Sequence, residues 1–157
     1  MKVLIVSDTH GNAAQLYRML QREEDAHALI FLGDGLRDLA GIDKARPHLR
    51  VYSVRGNCDY SCFEPAEGLA AFDGLLFFYT HGHGYEVKWT LTPIKTAARQ
   101  RGADVVLFGH THVPYYEYEN GLYVFNPGSL GHPRAGKPTY GVVSGEKGRP
   151  RFEHREL

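Results

Sequence analysis

Five segments that read as strands, most of them continuous apolar runs, each end in a short cluster of His, Asp, Asn or Gly, and that coupling limits how the chain folds more than any other feature. Lys2–Ser7 runs into Asp8-Thr9-His10, Ala28–Leu32 into Gly33-Asp34, and Arg50–Val54 into Gly56-Asn57-Cys58-Asp59. Leu75–Thr80 leads into His81-Gly82-His83, and Val105–Phe108 into Gly109-His110-Thr111-His112. Short continuous apolar runs are the pattern of strands covered on both faces. In α/β sheets ligands collect in the crevice outside the carboxyl ends of the strands. Neighbouring strands would therefore bring all five clusters to one rim.

The segments between the runs fit that arrangement. Asn12 is placed to cap a helix in which Leu16, Met19 and Leu20, with Tyr17, form an apolar stripe. A weaker helical segment covers Leu36–Ala45, so the first third reads β-α-β-α-β, a largely parallel sheet. The middle changes character. Asp73-Gly74 between Leu69–Phe72 and Leu75–Thr80 signals a hairpin, as does Asn120-Gly121 between Tyr115–Tyr118 and Leu122–Phe125. Thr92-Pro93 reads as an N-cap and a first helical residue, starting a helix to about Arg101. Thr139–Ser144 and Arg151–Glu156 flank the turn-rich Gly145–Pro150. The expected fold is α/β: a two-layer β-sandwich of mixed sheets with helices outside, in one domain spanning residues 1–157.

Composition narrows the function classes. Lys and Arg number 18 against 18 Asp and Glu, which excludes a strongly basic nucleic-acid binder driven by counterion release. No apolar stretch approaches the ~20 residues that span a bilayer. The chain opens directly on a strand without a signal-peptide layout, and two Cys suit a reducing compartment, so a cytoplasmic location is expected. Cys58 and Cys62 are read as free thiols. His27, His48, His132 and His154 lack metal-like spacing and are read as surface residues. Tyr115, Tyr116 and Tyr118 are read as a strand edge or a contact for self-association.

The clusters offer carboxylate oxygens, imidazole nitrogens and an amide oxygen. That mixed set suits Mn, Fe(II), Zn, Ni or Co better than Ca, which takes oxygen alone. In an extended segment Asp8 and His10 would share a side, and so would His110 and His112. Glycines at 33, 56, 82 and 109 allow the backbone to come close to a bound group. Seven such donors, out of the nine that the clusters carry, exceed what one tetrahedral ion needs and suit two ions sharing a carboxylate. Singly each cluster is an ordinary turn; five of them, each after a strand, are not.

Together the five clusters resemble the signature of the calcineurin-like metallophosphoesterases, and most closely their small bacterial and archaeal YfcE-type phosphodiesterase branch. Asn126-Pro127-Gly128-Ser129 resembles a loop of the same branch, and the likeness runs from Lys2 to about Ser144. It implies two divalent metal ions, manganese first and iron, zinc, nickel or cobalt next. Asp8, His10, Asp34 and His112 would hold one ion; Asp34, Asn57, His81 and His110 would hold the other, with Asp34 bridging. A hydroxide between the ions would attack a small phosphodiester, with Asp34, Asn57 and His83 among the catalytic groups. Many relatives carry His after the ligand Asn, to help the leaving group. This chain has Cys58, so His83 is the candidate to stand in for it. Asp59 is read as a carboxylate orienting a ligand His, ahead of the alternative that it stabilises its turn. Two other functions stay open at this point: a metal-binding interaction scaffold of the same fold, and a phosphomonoesterase or pyrophosphatase.

Overall fold

The computed structural model describes residues 1–157. Its elements are β1 (Lys2–Val6), α1 (Ala13–Arg22), β2 (Ala28–Phe31), α2 (Ile42–Ala45), β3 (Arg50–Ser53), β4 (Glu67–Phe72) and β5 (Leu75–Thr80), followed by α3 (Thr92–Gln100), β6 (Val105–Leu107), β7 (Pro114–Glu119), β8 (Leu122–Pro127), β9 (Thr139–Glu146) and β10 (Arg149–Glu156). One sheet has the order β10-β9-β1-β2-β3 and the other β4-β5-β6-β8-β7. β1, β2 and β3 are parallel neighbours, as are β5, β6 and β8, while hairpins add antiparallel strands at the margins. This is the expected sandwich of mixed sheets.

Period-two alternation divides the central strands β1, β2, β5, β6 and β8 between two cores. Val3, Ile5, Ile30, Phe77, Val105 and Leu107 face inward and fill the space between the sheets. Their neighbours Leu4, Val6, Leu29 and Phe31 face outward under Leu16, Met19 and Leu20 of α1. On the far side Phe78, Val106 and Val124 pack under Ile94, Ala97 and Ala98 of α3. Each such large apolar side chain contributes about 1.5–3 kcal/mol on burial. β1, β2, β5 and β6 read as continuously apolar because both faces are covered, whereas the edge strand β3 leaves Arg50 and Val51 exposed.

Local differences from the sequence reading have physical causes. The segment Leu36–Ala45 is not one helix: a 3-10 turn at Leu36–Leu39 and α2 are separated at Gly41, whose φ of 84° lies in the left-handed region. Thr92 is the first residue of α3 and not its cap; its N–H donates to the Thr90 hydroxyl at 3.2 Å, and Leu91 stands at the cap position. The last hairpin is longer than expected, with Pro150 paired opposite Gly145. A proline is tolerated there because β10 is an edge strand. No helix is long and apolar enough to cross a membrane.

Candidate metal centre

Every cluster lies just past the carboxyl end of a parallel strand, and the two sheets bring these ends together across the sandwich seam. His81 bridges the seam: its Nδ1 meets the Leu32 carbonyl at 2.7 Å, and its own carbonyl accepts the Gly109 N–H at 2.9 Å. The His110 N–H donates to Asp8 Oδ2 at 3.0 Å. Two glycines make the approach possible. A Cβ on Gly56 would collide with Asp34 Oδ1, and one on Gly109 with the Ser7 hydroxyl.

Donor atoms gather in two groups. In the first, His112 Nε2 is 3.0 Å and His10 Nε2 is 3.3 Å from Asp8 Oδ1, and the two imidazole nitrogens are 3.3 Å apart. In the second, His81 Nε2 is 3.2 Å from both Asp34 Oδ2 and His110 Nδ1. Asp34 Oδ2 also lies 3.7 Å from His10 Nε2, so this carboxylate stands between the groups. The members of each group fall within 4.8 Å of one another. The expectation that His110 and His112 share a side is corrected: His110 faces the second group and His112 the first.

The backbone explains how closely spaced residues diverge. Asp8, His10, Asp34, His110 and His112 all have positive φ, between 47° and 69°. The segments turn sharply and are not extended, so the period-two argument for Asp8 and His10 gives the right neighbours for the wrong reason. Asp and His tolerate this region better than bulky or branched residues. Each such residue costs on the order of 1–3 kcal/mol unless its surroundings hold it there. Here the Asp8 N–H is held by the Gly33 carbonyl at 3.0 Å and the His10 N–H by the Asp34 carbonyl at 3.0 Å.

The electrostatics favour cation binding. Burial opposes ionisation of Asp8, but His10, His112, His81 and Ser7 outweigh it and hold the carboxyl well below its usual range. Asp34 is likewise lowered: burial raises it, and His81 and the Cys58 N–H more than compensate. The hydrogen bond to Asp8 raises His10. Burial works against charged His81, yet Asp34 and Asp8 raise it overall. His110 is pushed down to about 4 by burial and by His81 and Lys88. The donor set fits divalent cations on one further ground. His81 and His112 each turn Nδ1 to a backbone carbonyl, Leu32 and His132. With the proton on Nδ1, each presents a lone pair on Nε2 to its group.

Other predicted residues sit around these groups. The Cys58 N–H donates to Asp34 Oδ1 at 2.7 Å, and the Cys58 thiol falls within a third donor set with His10 and Asp34. Asn57 is exposed beside it, with Nδ2 3.5 Å from Cys58 Sγ. His83 is exposed, its ring 5.4 Å from that of His81 and 6.1 Å from that of His110. Asp59 touches no ligand His, which corrects the orienting role and leaves the turn-stabilising alternative. Its two oxygens accept the N–H groups of Asp34 at 2.7 Å, Gly35 at 2.9 Å, Leu36 at 3.0 Å and Gly56 at 2.7 Å. It ties the loop after β2 to the loop after β3.

Sequence reasoning missed several supports. The His132 carbonyl accepts from His112 Nδ1 at 2.6 Å, although His132 itself is exposed as expected. Asn126 and Ser129 are buried behind the centre. Asn126 Nδ2 donates to the Gly109 carbonyl at 3.1 Å and the Thr111 hydroxyl at 3.0 Å, and the Ser129 hydroxyl donates to the Asp8 carbonyl at 2.7 Å. Asp38 holds Thr9 through its hydroxyl and the Gly11 N–H at 3.0 Å. The resemblance of Asn126-Pro-Gly-Ser129 to a family loop was the one signal that pointed toward these groups.

Comparison with known proteins shows the family and the fold. Residues 1–148 match the model of the calcineurin-like phosphoesterase superfamily domain. The chain is 35% identical over 136 residues to a protein of Bacillus subtilis strain 168 named "Probable metallophosphoesterase YsnB", covering 85% of this chain and 78% of that one. It is 30% identical over 173 residues to "Phosphodiesterase YfcE" of Escherichia coli K12, covering 93% and 89%. A solved structure from Streptococcus pneumoniae TIGR4, described as a predicted phosphoesterase, superposes with a TM-score of 0.79 at 23% identity, covering 98% and 97%. Wild-type Vps29 of Entamoeba histolytica, complexed with zinc, shares the fold with a TM-score of 0.76 at 17% identity, covering 99% of each chain. The chain belongs to the calcineurin-like phosphoesterase superfamily.

Proposed function

We propose that this chain hydrolyses small phosphodiesters with two divalent metal ions, manganese being the first choice. The observation that carries the reading is the pair of donor groups meeting at Asp34 Oδ2, one with Asp8, His10 and His112 and one with His81 and His110. Asn57 joins the second group in this reading. It lies between Gly56, which abuts Asp34, and Cys58, whose N–H binds Asp34. When bound, such ions supply Lewis acidity toward phosphoryl oxygens and hydroxide at neutral pH.

The side chains set which ester reacts. Asp8 and Asp34 stay ionised, but two carboxylates do not neutralise two divalent ions, so the centre keeps a net positive charge that suits a diester monoanion. In the metal-free chain burial and the nearby Asp34 and Asp59 charges push the Cys58 thiol up, and a thiol has no cationic form near neutrality. Burial and His81 lower His83, which is also neutral there. Neither offers the cation that a monoester dianion or a poor leaving group needs. His83, at the rim, is a neutral group for contacting the leaving oxygen. Two free cysteines are consistent with the cytoplasmic location proposed for the chain.

The test loads purified protein with Mn²⁺ and compares bis(p-nitrophenyl) phosphate with p-nitrophenyl phosphate. Faster turnover of the diester is the expected result. Preference for the monoester would turn the reading to a phosphomonoesterase. No turnover at full metal loading would leave the interaction scaffold, for which the exposed edge strand β7 with Tyr115, Tyr116 and Tyr118 is the available surface.

A further inference from the structure

A cleft of about 420 Å³ opens from the donor face formed by His10, Asp34 and Cys58. It runs between the 3-10 turn at Leu36–Leu39 and the loop 58–62. Its acidic side chains are already engaged. Asp59 is occupied by four backbone N–H groups, and Asp38 holds the Thr9 hydroxyl and the Gly11 N–H. Two other side chains on its walls are free. Arg37 is exposed, forms no ion pair and donates no side-chain hydrogen bond. Tyr60 is 77% exposed and stacks on no other ring. Leu36 adds an apolar patch to the same wall.

Resting on the phosphodiesterase reading, we propose that this cleft binds one arm of the substrate. That arm is a planar aromatic ring, nucleoside or aryl, bearing an anionic group at its far end. Tyr60 stacks on the ring, Leu36 packs against its edge, and Arg37 pairs with the anionic group. An aromatic face left open to water and an unpaired guanidinium lining the same cleft are the combination that recognises such an arm. The arm that departs needs a path to solvent, whereas the arm that remains on phosphorus must be gripped while the bond breaks. The walled cleft therefore takes the retained arm, and Tyr60 and Arg37 act on KM more than on kcat.

Three diesters with the same p-nitrophenolate leaving group separate the contributions: ethyl, phenyl and 4-carboxyphenyl p-nitrophenyl phosphate. With Mn²⁺-loaded protein, Tyr60→Ala raises KM about tenfold for both aryl diesters and leaves the ethyl diester unchanged, in line with the usual worth of one stacking contact. Arg37→Ala raises KM severalfold for the carboxyphenyl diester alone. Titration calorimetry with the product 4-carboxyphenyl phosphate shows the same losses in equilibrium binding. Equal changes across all three diesters, or no change in any, would overturn the assignment of the cleft. Failure of wild-type protein to turn over any diester would remove the phosphodiesterase reading first, and the cleft's role with it.

Discussion

The Asp59 carboxylate accepts the backbone N–H of Asp34 at 2.7 Å, and through its remaining contacts it binds the loop that carries Asp34 to the loop that carries Asn57. Asp59→Asn removes the charge and turns one acceptor into a donor facing N–H groups. Outer contacts of this kind change metal affinity by about 10–100-fold when lost. The variant is expected to weaken Mn²⁺ binding within that range, read by titration calorimetry, while keeping a cooperative unfolding transition. Undiminished affinity would limit Asp59 to holding a turn.

Asn126 makes a parallel case on the other side of the centre. Its Nδ2 grips the Gly109 carbonyl and the partly exposed Thr111 hydroxyl, and its Oδ1 accepts the Gly128 N–H at 2.8 Å; the Gly109 and Gly128 contacts are out of solvent. Asn126→Ala leaves those partners unsatisfied at a cost of about 1–3 kcal/mol. Denaturant unfolding of metal-free protein checks the loss, and a loss within experimental error would contradict this role.

Metal binding is expected to release protons near neutral pH. His10 and His81 have raised pKa values in the metal-free chain, so both are partly protonated at pH 6.5 and must lose the proton to coordinate. Calorimetry in buffers of different ionisation heat should show proton release that is larger at pH 6.5 than at pH 8.5. Release independent of pH would argue that these imidazoles are not ligands.

Acid stability depends on a second, distant network. Burial raises the Glu23 pKa, but Lys2, Tyr140 and Arg155 outweigh it and the carboxyl ends below its ordinary value. Because the unfolded chain binds that proton more readily, the stabilisation is whole above the unfolded pKa and is lost as pH falls through the lower folded value. Glu23→Gln should flatten the acid limb of stability against pH in metal-free protein. An unaltered limb would show that the network contributes nothing.

Cys58 tests the chemistry of departure. With a neutral thiol there, rates should fall steeply as the leaving group becomes more basic. Cys58→His supplies a group able to carry a proton, and the dependence on leaving-group pKa should become shallower. An unchanged slope would take Cys58 out of the mechanism.

Much of this centre was legible because parallel strands, most of them continuous apolar runs, deliver whatever follows to one rim. The clusters carrying Asp8, His10, Asp34, Asn57, His81, His110 and His112 could be grouped on that ground, and the family resemblance then singled out those side chains within them. The reading failed where the partner is a backbone atom. Nothing in the identity of Leu32 or His132 reveals that its carbonyl fixes an imidazole, and nothing in the identity of Asp59 decides between a His and the four N–H groups that it binds. The division of His110 from His112 was hidden for a related reason. It follows from the left-handed backbone at both residues, which alternation in an extended chain cannot represent.

Metal stoichiometry and position in Mn²⁺-replete crystals, read by anomalous scattering, test the dinuclear centre most directly. The expected result is two ions per chain, about 3.5–4 Å apart, with Asp34 between them and occupancy falling in Asp34→Asn. A single ion, or ions bound away from Asp8, Asp34, His81 and His110, would contradict it.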